Sequence, residues 1–363
     1  MESVEGIMKL DQVFYKDKIV LVTGHTGFKG TWLCKMLINF GAHVIGYSLK
    51  APTDPNVFEI SNIENKMVSI IGDIRDFDKL YGVFEKYKPD IVFHLAAQPI
   101  VRDSYKNPRY TYETNVMGTC NVLECIRLTN SVKSFLNVTT DKVYQNNEIK
   151  DYFYNESDKL DGYDPYSNSK SCSELVTHSY QKSFFNERHI SISTARAGNV
   201  IGGGDFANDR IVPDSIRAIS RKEKIFVRNP NSIRPYQYVL EPLYAYLLIC
   251  EAQYFDFSFC GSYNIGPEKS DCISTGDLVS KLCKKWGNDL QWYTTNNEGP
   301  HEANYLNLNC DKFNQKFNCK PTFHIDDAIN EICEWTNTFF VNKREVDALM
   351  DREIFEFLES KND

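Results

Sequence analysis

The chain has 363 residues, a formal net charge of −8, 42% hydrophobic and 25% charged residues. This is ordinary globular composition, and with 19 Gly and 13 Pro it excludes a collagen-like, low-complexity or mainly disordered chain. A mildly acidic chain lacks the clustered Lys and Arg that a nucleic-acid backbone requires, and its longest apolar run, Pro242–Cys250, is too short for the roughly 18 residues of a membrane span.

Residues 1–17 read as a short polar arm, acidic at its start and without an apolar core, so no secretory signal is expected. A β-branched run at Ile19–Thr23 predicts a strand. A Gly-rich turn and a helical pattern over Phe28–Phe40 follow. His43–Tyr47, Val68–Ile71, Asp90–His94, Ser134–Thr139 and Ser191–Ala195 predict further strands. Asp76–Tyr87, Pro108–Leu128 and Tyr166–Phe185 predict the helices between them. Strands alternating with helices of this length imply βαβ units and a parallel sheet.

Beyond about residue 200 the rhythm breaks at Gly202–Asp205. Short strands (Lys224–Val227, Ser262–Ile265, Leu290–Tyr293) mix with helices (Val212–Arg221, Ser274–Trp286, Ile325–Phe340, Arg344–Ser360), the pattern of a smaller α+β lobe. The division expected is 1–200 and 201–363, with some chain crossing between the lobes. Gln145–Tyr163, polar and acidic, reads as a mobile excursion. The last helix either closes the lobe or serves an oligomer contact. Eleven Cys without C-x-x-C pairs suggest free thiols in a reducing cytosol rather than disulfides or a zinc site.

The segment Val20-Leu-Val-Thr-Gly24-His25-Thr26-Gly27-Phe28-Lys29-Gly30 follows a strand and opens a helix. Glycines three apart allow a tight turn and close approach to a pyrophosphate, which the helix N-terminus then faces. The spacing G-x-x-G-x-x-G is weak alone; its strand–turn–helix context makes it informative. No acid ends the second strand, where Ser48 and Lys50 stand, and these tolerate a ribose 2′-phosphate. NAD is the expected cofactor and NADP stays open. Asp73, after the third strand, is placed for the adenine edge, for capping the next helix, or for both.

Tyr166 and Lys170 sit at i and i+4 on one helix face. A free phenol is a poor base at neutral pH, and an adjacent cation makes it competent. The pattern Y-x-x-x-K usually marks only a solvated helix face. Here it opens the helix after the fifth strand, whose carboxyl end carries Thr139-Thr140-Asp141-Lys142. Ligands of open α/β sheets bind at such strand ends. His94 and His301 lack a third ligand at metal spacing and read as hydrogen-bonded structural histidines, so no metal is expected.

With these residues in hand the chain resembles the extended short-chain dehydrogenase/reductases that act on nucleotide sugars. The motifs are T-G-H-T-G-F-K-G (23–30), H-L-A-A-Q-P (94–99), Y-E-T-N-V-M-G-T (112–119), T-T-D-K-V-Y (139–144), Y-S-N-S-K (166–170), R-A-G-N-V-I-G-G-G-D (196–205), R-P-Y-Q-Y-V-L-E-P-L (234–243) and H-E-A-N-Y-L (301–306). The combination is most similar to the 4,6-dehydratases, in particular the branch acting on CDP-glucose. The resemblance implies a Rossmann-type doubly wound α/β fold with a smaller α+β C-terminal substrate lobe. It further implies cofactor contacts from Ile74, Leu95, Ala96, Ala97 and Thr114, besides the Gly-rich turn, Ser48, Asp73, Tyr166 and Lys170.

The implied chemistry removes the proton of the sugar 4-hydroxyl to Tyr166 while the C4 hydride passes to the nicotinamide. Thr140 bonds that oxygen, and Lys170 holds the nicotinamide ribose. The 4-ketone acidifies C5, water leaves from C5 and C6, and the hydride returns to C6. Asp141 is the implied acid for the 6-hydroxyl. The commoner pattern has Glu as C5 base where Lys142 stands, which leaves that base open between Lys142 acting directly and Lys142 stabilising an enolate. Arg234 is the preferred diphosphate contact, with Asn199, Arg210 and Tyr305 beside it; Gln98, Arg102 and Ser104 line the sugar pocket. A homodimer or pair of dimers is implied. Another nucleotide-sugar 4,6-dehydratase (on a GDP-, dTDP- or UDP-sugar), a 4-epimerase and a non-catalytic dinucleotide sensor are the competing readings. The intact Asp141-Lys142 pair argues against the epimerase, and the intact Tyr166 and Lys170 against the sensor.

Overall fold

The computed structural model describes residues 8–287, 289–295 and 305–362. From the amino end the chain forms β1 (Ile19–Thr23), α1 (Phe28–Asn39), β2 (His43–Ser48), β3 (Val68–Ile71), α2 (Phe77–Tyr87) and β4 (Ile91–His94). Then come α3 (Val101–Lys106), α4 (Pro108–Tyr112), a π turn at Glu113–Met117, α5 (Gly118–Leu128) and β5 (Ser134–Thr140). Next are α6 (Pro165–Tyr180), β6 (Ser191–Ala197), β7 (Asn199–Ile201), α7 (Ile211–Arg221), β8 (Ile225–Phe226), β9 (Ile233–Tyr238) and α8 (Leu240–Phe255). The chain closes with β10 (Ser262–Ile265), β11 (Cys272–Ser274), α9 (Thr275–Trp286), β12 (Trp292–Tyr293), α10 (Asp311–Phe317), α11 (Ile325–Val341) and α12 (Val346–Ser360).

Seven strands form one sheet in the order β10-β6-β5-β4-β1-β2-β3, all paired in parallel. A parallel sheet is covered on both faces, so its strands are apolar on both sides. Val20, Val22, Ile91, Phe93, Leu136 and Val138 pack on one face with residues of α1, α8, α11 and α12. Leu21, Val92, Phe135 and Ile192 pack on the other against Leu80 and Phe84 of α2 and Val122 and Ile126 of α5. The chain winds outward from β1 in one direction and from β4 in the other. Their carboxyl ends therefore flank the crevice where ligands of such sheets sit.

Three features differ from the sequence-based expectation. Ser262–Ile265 belongs to the main sheet, with Ser262 opposite Thr194 of β6; a four-residue run carries no signal of its partner. The apolar run Pro242–Cys250 is the middle of α8, buried along its length. Being apolar all round, it lacks the one-sided periodicity of a surface helix. Gln145–Tyr163 is a loop folded back on itself, not a free excursion: Gln145 N–H bonds Lys159 O, and Phe153–Tyr154 pairs with Asn307–Leu308. Stacked Tyr144 and Tyr154 rings supply its small core.

α12 joins elements of both halves of the chain. Lys35 of α1 pairs with Asp351 at 2.9 Å, and Tyr238 of β9 donates to Glu353. The smaller sheets, β11-β9-β7 and β12-β8, lie in the second half. All eleven cysteines are free, and no helix among the described residues is long and apolar enough to cross a membrane.

Candidate active site

The turn between β1 and α1 works only with glycine at two positions. Gly24 has φ +78°, and a Cβ there would stand 2.8 Å from the Ala96 nitrogen. A Cβ on Gly30 would stand 2.1 Å from the Gly24 carbonyl oxygen, so α1 lies directly against the turn. Gly27 is the N-cap and offers no side-chain acceptor, which leaves the first-turn amides for an anion. This cradle fits a dinucleotide diphosphate. Thr26 donates to Leu49 O at 2.9 Å and shares a bond with Ser48 at 2.9 Å, tying the turn to the end of β2. His25 turns its ring into the protein, 2.9 Å from Ser69 Oγ, and burial lowers its pKa to about 4. It contributes to the turn through its backbone.

Asp73 accepts from the Arg75 backbone and guanidinium, and that pairing holds its carboxyl below the usual range. The helix cap expected of it is supplied by Asp76, which accepts from Lys79 N–H. Ile74 is buried against Gly118. Leu95 N–H and Ala96 N–H both donate to Thr23, to its carbonyl and its hydroxyl. Ala97 and Phe28 are half-buried and Thr114 is buried. His94 bridges Thr23 and Thr119 at 2.7 and 3.0 Å as a core histidine. His301 lies outside the described residues, as does most of the 301–306 motif. Among the described residues no group of three metal-ligating side chains assembles.

The five residues expected to carry the chemistry gather at the carboxyl end of β5. Thr140 donates to Asp141 Oδ1 at 2.9 Å, and Lys142 Nζ reaches the same oxygen at 3.2 Å. Asp141 is fully buried, and its Oδ2 has no hydrogen-bond partner. A carboxyl so placed has one oxygen left to trade a proton with a ligand. Burial pushes the Tyr166 phenol up to about 12; the Thr140 hydroxyl and Arg210 pull it down, and Asp141 adds to the rise. Lys170 donates to Val138 O at 3.0 Å, and burial lowers its ammonium to about 8 against the pull of Glu174.

The remaining candidates are each held by neighbours of their own. Arg210 pairs with Asp205 at 3.0 Å, and Arg102 lies 3.6 Å from Asp209. Asn199 on β7 sits opposite Tyr236 of β9. Arg234, buried on β9, donates to Ile233 O at 2.8 Å. Tyr305 accepts from Asn146 through its carbonyl at 3.0 Å. Two side chains are spent inside the protein. Gln98 bonds Thr111 and the Ile100 amide, and Ser104 donates to Val101 O.

Sequence reasoning missed two groups that hold the site. Glu174, one turn beyond Lys170, accepts from Arg196 at 3.0 and 2.9 Å and from Thr139 and Thr194, all buried. Arg196 opens the 196–205 motif, but no sequence signal joins it to Glu174. Asn115 bonds Gln98 on both its backbone groups and Ser169 beside Lys170; its presence in the 112–119 motif was the available sign.

A parallel sheet in this order, a Gly-rich first turn and a Tyr/Lys pair above the end of the fifth strand define an extended short-chain dehydrogenase/reductase. The chain belongs to the GDP-mannose 4,6 dehydratase family, whose model matches residues 21–332. It is 45% identical to the CDP-glucose 4,6-dehydratase of Salmonella typhimurium, over 90% of this chain and 92% of that protein. With the dTDP-glucose 4,6-dehydratase of Haemophilus influenzae it shares 24% identity, over 87% and 97%. Among solved structures, the dTDP-glucose 4,6-dehydratase of Bacillus anthracis in complex with NAD superposes with a TM-score of 0.73 at 20% identity, over 92% of this chain and 99% of that one. The UDP-glucose 4-epimerase of Thermotoga maritima with UDP-glucose gives 0.77 at 20%, over 89% and 99%.

Proposed function

We propose that the chain is an NAD-dependent CDP-glucose 4,6-dehydratase, converting CDP-D-glucose to CDP-4-keto-6-deoxy-D-glucose. The observation that carries the reaction type is the buried Asp141 with one unpartnered oxygen beside Thr140 and Tyr166. The nucleotide rests on the 45% identity to the Salmonella typhimurium enzyme. The Gly24–Gly30 turn, Ser48, Asp73, Ile74, Leu95–Ala97 and Thr114 hold the dinucleotide. When bound, that group accepts the hydride from C4 and returns it to C6. Tyr166 takes the proton of the 4-hydroxyl, and Thr140 fixes that oxygen. Lys170 holds the nicotinamide ribose and stabilises the phenolate. Asp141 protonates the departing 6-hydroxyl through Oδ2. Lys142, ion-paired to Asp141, stabilises the enolate electrostatically; the C5 proton passes to solvent, and a solvent proton returns to C5 as the hydride reaches C6.

The diphosphate falls to Arg234, Arg210 and Arg102, because guanidinium meets phosphate in bidentate fashion. Asn199 and Tyr305 orient the sugar nucleotide, while Gln98 and Ser104 shape the wall. Residues 1–200 form the dinucleotide domain and 201–363 the substrate lobe, with α8 and β10 crossing back. Exposed Met117, Leu128, Leu175 and Phe184 along α5, α6 and their turns support a homodimer through those helices, working in the cytoplasm.

The test is incubation of the purified protein with NAD and CDP-, dTDP-, UDP- and GDP-hexoses in deuterated water. The expected result is loss of one water from CDP-glucose alone, with deuterium at C5. Water loss confined to another nucleotide would overturn the base assignment. Epimerisation without water loss would overturn the dehydratase.

A further inference from the structure

Residues 138–144 carry the chain from β5 into the excursion that follows it, and Asp141–Val143 is a single 3₁₀ turn. α6 ties this segment down on both sides of Asp141. Before it, Lys170 donates to Val138 O at 3.0 Å, and Thr139 donates to Glu174. After it, Ser171 donates to Val143 O at 2.7 Å. A last tie runs through a neighbouring strand. Arg196 of β6 forks onto both oxygens of Glu174, and its remaining arm donates to the Tyr144 hydroxyl at 2.8 Å. That hydroxyl donates in turn to Asn264 of β10 at 2.6 Å. Glu174, Arg196, Tyr144 and Asn264 are all buried. A buried ion pair adds little stability over well-packed apolar residues, so the pair is explained by what it holds. Glu174 grips Thr139 and Arg196 grips Tyr144, with Asp141 and Lys142 between them. Tyr166, Lys170 and Glu174 follow one another at intervals of four along α6 and so share one helix face. The acid and the phenol are thereby held against one helix.

We propose that Tyr144 and Arg196 are positioning residues for the elimination step: they hold the far end of the 141–143 turn, so that Asp141 stays in register with Tyr166. The Arg196 guanidinium is already spent on Glu174, Tyr144 and the Glu156 carbonyl. Both residues therefore act through Asp141 rather than on a ligand. The two half-reactions depend differently on this tie. C4 oxidation uses Tyr166 and Lys170, fixed by α6, and Thr140, fixed by β5. Water loss uses Asp141, whose turn is held at its two ends. A misplacement of about 1 Å costs about 100-fold in rate. Releasing the far end thus slows water loss and leaves oxidation as it is.

The inference rests on the dehydratase reading above and adds two residues to its second half-reaction. The experiment compares the full chain as wild type, Tyr144→Phe and Tyr154→Phe, with NAD and CDP-glucose in a single turnover. Rapid-scan absorbance follows the reduced dinucleotide, mass spectrometry follows loss of water, and amide hydrogen exchange reads the 141–144 segment. Tyr154→Phe is the control. Its ring stacks on Tyr144, but its hydroxyl bonds Asn146 and Asn147 within the excursion. Tyr144→Phe is expected to form reduced dinucleotide at the wild-type rate and to lose water about 10- to 100-fold more slowly. Its 141–144 amides should exchange faster. Tyr154→Phe keeps wild-type rates in both half-reactions. Equal slowing of both half-reactions in Tyr144→Phe would show a general loosening of the site and overturn the proposal. Wild-type water loss, unchanged exchange in the segment, or the same selective loss in Tyr154→Phe would overturn it too. A wild type that forms neither reduced dinucleotide nor dehydrated sugar would remove the dehydratase reading itself, and this inference with it.

Discussion

A phenol held near 12 by burial makes almost no phenolate at neutral pH, so Tyr166 needs added positive charge before it can act as a base. Arg210 supplies part of it, and in the proposed mechanism Lys170 and a bound oxidised nicotinamide would supply the rest. Tyr166→Phe is expected to lower kcat by about 10²–10⁴-fold with NAD affinity unchanged; a variant at full activity would discard the proposed base. Asp141→Asn separates the half-reactions. C4 oxidation continues and reduced dinucleotide accumulates, while water loss falls by about 10²-fold or more. Rapid-scan absorbance with mass spectrometry distinguishes this from loss of both steps, which would assign Asp141 to the oxidation instead. Glu174 serves by position. Its carboxylate is buried against Arg196, and removing one partner of such a pair costs about 3–5 kcal/mol. Glu174→Ala should therefore unfold at markedly lower denaturant, and an unchanged midpoint would show that Arg196 finds another partner.

At the scale of elements, two glycines in helices have opposite fates. Gly30 packs its Cα against the Gly24 carbonyl, so Gly30→Ala must push α1 off the turn and distort the dinucleotide cradle. Gly82 lies in α2 with no atom within 4 Å of the point where a Cβ would stand, so Gly82→Ala should stabilise the chain by about 0.5–1 kcal/mol. Thermal unfolding with and without NAD reads both. Loss of the NAD-induced shift is expected in Gly30→Ala alone, and its retention there would mean that the turn yields without harm. The same contrast shows what the sequence carried. The Gly24–Gly30 turn and the strands around it were legible because local spacing encodes a strand, a turn and a helix start. The i, i+4 spacing of Tyr166 and Lys170 was legible for the same reason. α8 was not, since a helix buried on every side has no polar face to mark its period. β10 was legible as a strand but not as part of the main sheet, because its pairing with β6 joins residues far apart in the chain. Glu174 and Arg196 meet only through that sheet, so neither announced the other.

Across the whole molecule, buried and half-buried titratable groups set opposing responses to pH. Burial lowers His94 to about 3 and His25 to about 4, so the unfolded chain binds their protons first. Stability from these two is full above pH 6.5 and is lost as pH falls, by about 2 kcal/mol each at pH 5. The carboxyls between α11 and α12 act the other way. Burial raises Glu331 to about 7 and Glu353 well above the usual carboxyl range. The folded chain keeps these protons, so their contribution is full below about pH 4.5 and declines as pH rises. Between pH 5 and pH 6.5 the two sets oppose, and wild-type stability should change little. Each set can be removed alone. His94→Gln should lose stability overall, since His94 bridges Thr23 and Thr119, and its stability should now fall with rising pH. Glu353→Gln keeps an acceptor for the Tyr238 hydroxyl and should gain stability as pH rises. Urea midpoints for the three proteins at pH 5, 5.75 and 6.5 decide the matter: slopes of opposite sign in the two variants support the balance, and a wild-type slope in either would show that its group titrates alike in the folded and unfolded chain.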